Sequence, residues 1–99
     1  PLPVVVFSGH LHGLEYLVVN GVHYLTTAGG GGPRGPMAGE LPRNRYRGRD
    51  CPRPDGIGVF RPFNYALLRD TGTSLTIALR GFCRSDAEIG LLDSIEIAY

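Results

Sequence analysis

The residues best equipped for chemistry stand near the start of the chain. Gly9-His10-Leu11-His12-Gly13 follows the apolar run Pro3-Val4-Val5-Val6-Phe7-Ser8. Neutral imidazole suits zinc, iron, copper or nickel. Two histidines one residue apart splay toward two neighbouring points instead of converging on one. The flanking glycines let the backbone turn sharply and keep bulk away from an ion. Taken alone, His-x-His is a weak signal, readable equally as two loop histidines with no ligand role. What surrounds the pair decides its meaning.

Those surroundings are the composition of a small globular unit. The 99 residues, 42% hydrophobic and 19% charged, make one domain or part of one. A formal charge of +1 exerts no global pull toward nucleic acid or an anionic membrane. No apolar run approaches the roughly 18 residues of a membrane-crossing helix. All ten basic residues are arginine, which reads as codon bias. The chain opens at Pro1 without Met or the charged n-region of a signal peptide, and runs almost straight into a strand. That opening is the one expected of a processed or excised piece. Cys51 and Cys83 are too few for a disulfide scaffold or a zinc knuckle. Two free thiols are the expectation, with pairing as the alternative.

The elements that must position the histidines are mostly strands. Pro3 to Phe7 is β-branched and apolar on both faces, as expected for a fully buried strand. Asn20-Gly21 lies between the runs Leu14 to Val19 and Val22 to Thr27, the strongest short signal for a hairpin with a type I′ turn. Residues 29–62 then form a Gly-, Pro- and Arg-rich loop without sustained periodicity, beginning with Gly29-Gly30-Gly31-Gly32-Pro33. A loop that long within a compact domain is usually functional or mobile. Order returns in Phe63 to Leu68, the turn Asp70-Thr71-Gly72-Thr73, the strand from Ser74 to Leu79, and a last strand ending at Ile97. The count is about six strands, antiparallel hairpins for the most part, with no helical periodicity.

Within that frame, "VVVFSGHLHGLEYLVVNGVHYLTTAGGGGPR" resembles the C-terminal part of the calcineurin-like metallophosphoesterases. In that family a buried strand ends in Gly-His-x-His and is followed by a hairpin and a glycine-rich turn. "YALLRDTGTSLTIALRG" is similar to the family's penultimate hairpin and "GLLDSIEI" to its closing strand. The resemblance covers almost the whole chain except the arginine-rich loop. It implies a mainly β fold, the C-terminal part of an αββα sandwich, with residues 1–99 forming a single partial domain. It also implies two metal ions (manganese, iron, zinc or nickel) and a phosphate-ester substrate, with His10 a ligand of one ion and His12 of the other. His23 matches no motif position and reads as a strand residue.

The family's remaining ligands come from an Asp-x-His, a Gly-Asp-x-x-Asp and a Gly-Asn-His motif, none of which occurs in these 99 residues. Without the bridging carboxylate, the chain alone is expected to be inactive and to hold no dinuclear centre, so no residue is assigned a catalytic role. Its expected partner is an N-terminal half of the domain or further copies of itself. Tyr16, Val18, Tyr24, Phe63 and Leu75 are candidates for an uncovered apolar face. The alternative, from another class, is a non-catalytic β module that binds a protein or a single metal ion.

Two other signals give way on physical grounds. Asp70-Thr71-Gly72-Thr73-Ser74 matches an aspartic-protease signature. That chemistry needs an apolar strand leading into a buried aspartate, whereas Arg69 precedes Asp70 here. Arg43 to Arg49 alternates arginine with other residues, as an RNA-binding arm would. Glu40, Asp50 and Asp55 dilute its field, so a solvated loop is expected. Arg34 and Arg43 to Arg53 are the candidates to border a cleft for an anionic substrate, and no individual substrate-binding residue is assigned.

Overall fold

Parallel pairing of two short strands sets the geometry of the first layer. A computed structural model of the chain describes residues 2–9, 13–27, 41–52, 59–83 and 89–99. Strand β1 (Val4–Ser8) lies parallel to β3 (Val22–Thr27), and β3 pairs antiparallel with β2 (Leu14–Val19), giving the sheet order β1-β3-β2. β2 and β3 form the expected hairpin, with positive φ at both Asn20 (50°) and Gly21 (78°), as a type I′ turn requires. A short ribbon joins β4 (Cys51–Pro52) to β5 (Val59–Phe60). A second sheet is an antiparallel meander of β6 (Phe63–Asp70), β7 (Ser74–Phe82) and β8 (Gly90–Ala98). The protein is therefore mainly β, and there is no helix among the described residues. The two strands beyond the expected six are the two-residue members of the ribbon.

Period-2 alternation places the core. Leu14, Tyr16 and Leu25 from the first sheet join Ile77, Leu79, Ile95 and Ile97 from the second in one cluster, which Tyr46 completes. Register puts Tyr16 opposite Leu25, Ile77 opposite Ile95 and Leu75 opposite Ile97, so apolar rows face inward on both sheets. β8 carries one extra residue opposite the Leu79/Arg80 step. That bulge lets Leu92 pack on the core while Leu91 faces out and Asp93 stands across from Leu79.

Three expectations are corrected. β1 is not fully buried: it is the outer strand of its sheet, and only Val5 packs against the core. Val4 and Val6, 56% and 40% exposed, share the opposite face with Tyr24. An apolar β-branched run thus marks a strand in need of a cover, not one that has it. Among the candidates for an uncovered face, Val18 and Tyr24 are exposed, whereas Tyr16 is buried and Leu75 is packed against the core. The cysteines are not free thiols. Cys51 and Cys83 are bonded, their Cα atoms 5.6 Å apart. A bridge across 32 residues constrains the unfolded chain, an effect worth about 3–4 kcal/mol.

The third correction concerns the loop between residues 29 and 62. Residues 28–40, which include the glycine run and Arg34, and residues 53–58 lie outside the described set. The part from 41 to 52 is a wedge of tight turns carrying the buried Asn44, Tyr46 and Cys51. Asn44 does the work of a peptide group on the outer edge of β2. Its Oδ1 accepts from the Tyr16 N–H (2.9 Å) and the Tyr46 N–H (3.1 Å), and its Nδ2 donates to the Leu14 carbonyl (3.2 Å). The Arg45 N–H adds a bond to the Tyr16 carbonyl (3.1 Å). Arg61 is almost fully buried behind the wedge, donating to the Tyr46 carbonyl, with its Nε 3.0 Å from Asp50 Oδ1. Burying that guanidinium is tolerable only because it is paired.

Two outcomes follow. A Cβ at Gly21 meets nothing within 4 Å, so Gly21→Val acts through backbone strain alone and should cost more than about 1 kcal/mol in chemical denaturation. Asn44→Ala leaves two buried N–H groups and one carbonyl without their partner and should cost about 2–4 kcal/mol. A wild-type denaturation midpoint for Asn44→Ala would show that the wedge does not depend on this side chain.

Candidate functional site

Because β1 and β3 run parallel with Ser8 opposite Thr26, the chain leaves both strands at the same end of the sheet. β2 enters at that end too, with Leu14 opposite Thr27. Gly9, Gly13 and Thr27 therefore mark one rim, at the C-terminal ends of the parallel pair. His10 and His12 themselves lie outside the described residues, but both ends of their loop are framed by structure.

The frame is polar and tightly bonded. At the entry, the Ser8 and Thr26 hydroxyls are 2.9 Å apart. At the exit stands Asn64 of β6, buried and belonging to the other sheet. Its Nδ2 donates to the carbonyls of Gly13 (3.3 Å) and Pro62 (2.8 Å), and its Oδ1 accepts from the Thr27 hydroxyl (2.7 Å). One side chain thus ties the residue after His12 to the residue that closes β3. Neither Asn44 nor Asn64 was singled out from sequence. The available signal for Asn64 was period-2 alternation: it occupies the same face of β6 as Ala66 and Leu68, where a polar residue is out of place.

Among the described residues, no group of three or more His, Cys, Asp or Glu side chains is placed to hold a metal ion. His10 and His12 are not among the residues so searched. His23 lies in β3 as expected, its Nδ1 2.7 Å from the Tyr16 hydroxyl and its ring stacked on that tyrosine. Burial raises the Tyr16 phenol, against the lowering influence of Arg45.

Two arginines of the wedge, Arg45 and Arg49, tie it to β8. Arg45 donates through Nε (2.6 Å) and Nη2 (3.4 Å) to the Asp93 carboxylate, and Arg49 Nη2 donates to the Leu92 carbonyl (2.7 Å). With Tyr46 these side chains line a cavity of about 160 Å³. Burial works against charge on Asp93, but Arg45, Tyr46 and the Ser94 N–H outweigh it and hold the carboxyl below the usual value. Burial first, and Asp93 second, push the Tyr46 phenol well above the tyrosine range, so it stays protonated.

Asp70 is a turn residue. Its exposed carboxylate accepts from the Gly72 N–H (2.8 Å) and the Tyr99 hydroxyl (2.7 Å), while the Thr71 hydroxyl accepts from the Ser74 N–H (3.0 Å). A protease aspartate must be buried beside a second carboxylate, and this one is neither.

Comparison with known protein families, with characterised proteins and with solved structures finds no match to this chain.

The Asp93 shift has a pH signature. Its folded value lies below the unfolded one of about 3.8, so its stabilisation is complete above that pH and is lost as pH falls through the folded value. Arg45 is half exposed, so the amount is at most about 1 kcal/mol. Asp93→Asn should flatten the acid limb of the stability curve below about pH 4 relative to wild type. Identical acid limbs would remove Asp93 from that role.

Proposed function

We propose that this chain supplies part of the β framework and the histidine loop of a metal-dependent phosphoesterase of the calcineurin-like type. The observation that carries the reading is the parallel β1–β3 pair, which brings the Gly9 end of the histidine loop and the Thr27 end of the hairpin to one rim. The order strand, His-x-His loop, Asn-Gly hairpin, glycine-rich segment, second hairpin and closing strand is the order the resemblance implies. His10 would serve one ion and His12 the other, as neutral imidazoles. When bound, a pair of manganese, iron, zinc or nickel ions supplies charge against a phosphoryl group and an activated water.

The chain's own residues bind and orient. They bring no bridging carboxylate in the family's motif context, so the chain by itself does not hydrolyse phosphate esters. The helices of an αββα sandwich and the missing ligands would come from an N-terminal half of the domain, which a second copy of this sequence cannot replace. The exposed outer strand β1, with Val4 and Val6 uncovered, supports association of that kind, because unpaired apolar edges template further pairing. The same observation keeps the second reading, a non-catalytic β module that docks on a protein, in play.

Hydrolysis of an aryl phosphate with added manganese, zinc or nickel separates the two. The isolated chain should show no turnover above a buffer blank. Joined to a segment that carries the missing ligand motifs, it should show metal-dependent turnover that His12→Ala abolishes. Turnover by the isolated chain that vanishes in His12→Ala, or a joined protein indifferent to His12→Ala, would overturn the proposal.

A further inference from the structure

Strand β6 is an open edge of the second sheet. It is 8 residues long against 5 for β1, and it has only β7 beside it. Edge strands are commonly blunted by charge, proline or a covering loop, because their free N–H and carbonyl groups template pairing. The stretch Tyr65-Ala66-Leu67-Leu68 carries no charge and no proline, and Tyr65, Leu67 and Leu68 are exposed.

The ladder fixes which backbone groups are open. At the turn the Thr71 N–H donates to the Ser74 carbonyl (2.9 Å), and the register runs unbroken from Asp70 opposite Leu75 to Phe63 opposite Phe82. Hydrogen-bonded and non-hydrogen-bonded pairs alternate along an antiparallel ladder. Tyr65, Leu67 and Arg69 therefore bond to β7, whereas Ala66 and Leu68 turn their N–H and carbonyl groups to the open side. Among the described residues, none outside β7 bonds to the backbone of this stretch.

We infer that β6 pairs with β6 of a second copy, antiparallel about a twofold axis at Leu67, so that two three-stranded sheets join into one. In that register Ala66 exchanges backbone bonds with the partner's Leu68, and Leu68 with the partner's Ala66. Leu67 meets the partner's Leu67 at the axis. Tyr65 stands across from the partner's Arg69 on both sides of the axis, a ring face against a guanidinium, and these attract. A slip of the register to the neighbouring twofold position loses the match. It sets Leu67 against the partner's Arg69, or Leu68 against the partner's Asn64. An edge that is its own complement selects a second copy over a foreign strand, and an isologous contact closes as a dimer. The inference does not rest on the phosphoesterase reading and uses no residue of the histidine loop.

Light scattering of the full 99-residue chain, from about 10 to about 500 μM, covers the range of a weak interface. The mass should rise from 10.7 kDa toward twice that value. By NMR, exchange protection of the Ala66 and Leu68 amides should grow with concentration, while that of Leu67, already bonded to β7, stays constant. Leu67 is 51% exposed, so Leu67→Lys should keep the wild-type thermal midpoint in dilute solution. It sets like charges together at the axis and should hold the chain monomeric at every concentration. Val6→Lys, on the exposed β1, should dimerise as wild type does. A wild-type chain that stays monomeric throughout, or a Leu67→Lys chain that dimerises unchanged, would overturn the pairing. So would a dimer lost only in Val6→Lys.

Discussion

The Asn44 side chain, standing where a neighbouring strand's peptide would stand, is the constraint on which the rest of the molecule leans. β2 has β3 on one side only, and an open edge offers unpaired N–H and carbonyl groups to water or to other chains. Asn44 satisfies Leu14 and Tyr16 on that edge and in the same stroke caps its own turn through the Tyr46 N–H. Those bonds hold Tyr46 at the depth where it completes the core between the sheets. With Tyr46 seated, the Arg61 guanidinium has a carbonyl to bond, Asp50 has a cation, and Cys51 is brought to Cys83. A segment that looks like solvated loop is thus the third structural piece of the domain.

The two edges of the first sheet are treated in opposite ways. The β2 edge is sealed by the wedge, with hydrogen bonds, ion pairs and a disulfide behind it. The β1 edge carries Val4, Val6 and Phe7 with large exposed surface. Apolar surface buried against a partner is worth about 25 cal/mol per Å², and a domain of this size has little stability to spare for leaving it bare. The asymmetry leaves the exposed apolar surface on the same strand that leads into the histidine loop.

The described residues on either side of the histidine loop are held by side-chain bonds. Hydroxyl pairing at Ser8 and Thr26 and the amide of Asn64 draw on both sheets, so packing between the layers and geometry at the rim are coupled. A change in how the sheets stack is felt at Gly13 through one side chain.

Sequence by itself determined the strands that alternate, the Asn-Gly turn and the Asp70 to Ser74 turn. Each of these depends on local backbone preference: positive φ at Asn20 and Gly21, and side-chain bonds within a few residues of Asp70. His23 was legible as a strand residue for the same reason. What only the tertiary structure decided were quantities set by partners far along the chain. The exposure of β1 depends on which strand lies beside it, and a β-branched run carries no mark of that neighbour. The Cys51–Cys83 bond depends on a wedge meeting the end of β7, 32 residues away. Asn64 lies 51 residues from the Gly13 carbonyl it holds, and Asn44 lies 28 from the Tyr16 N–H. Period and propensity reach only a few residues in either direction, whereas a buried amide is placed by whichever backbone groups the fold brings within 3 Å of it.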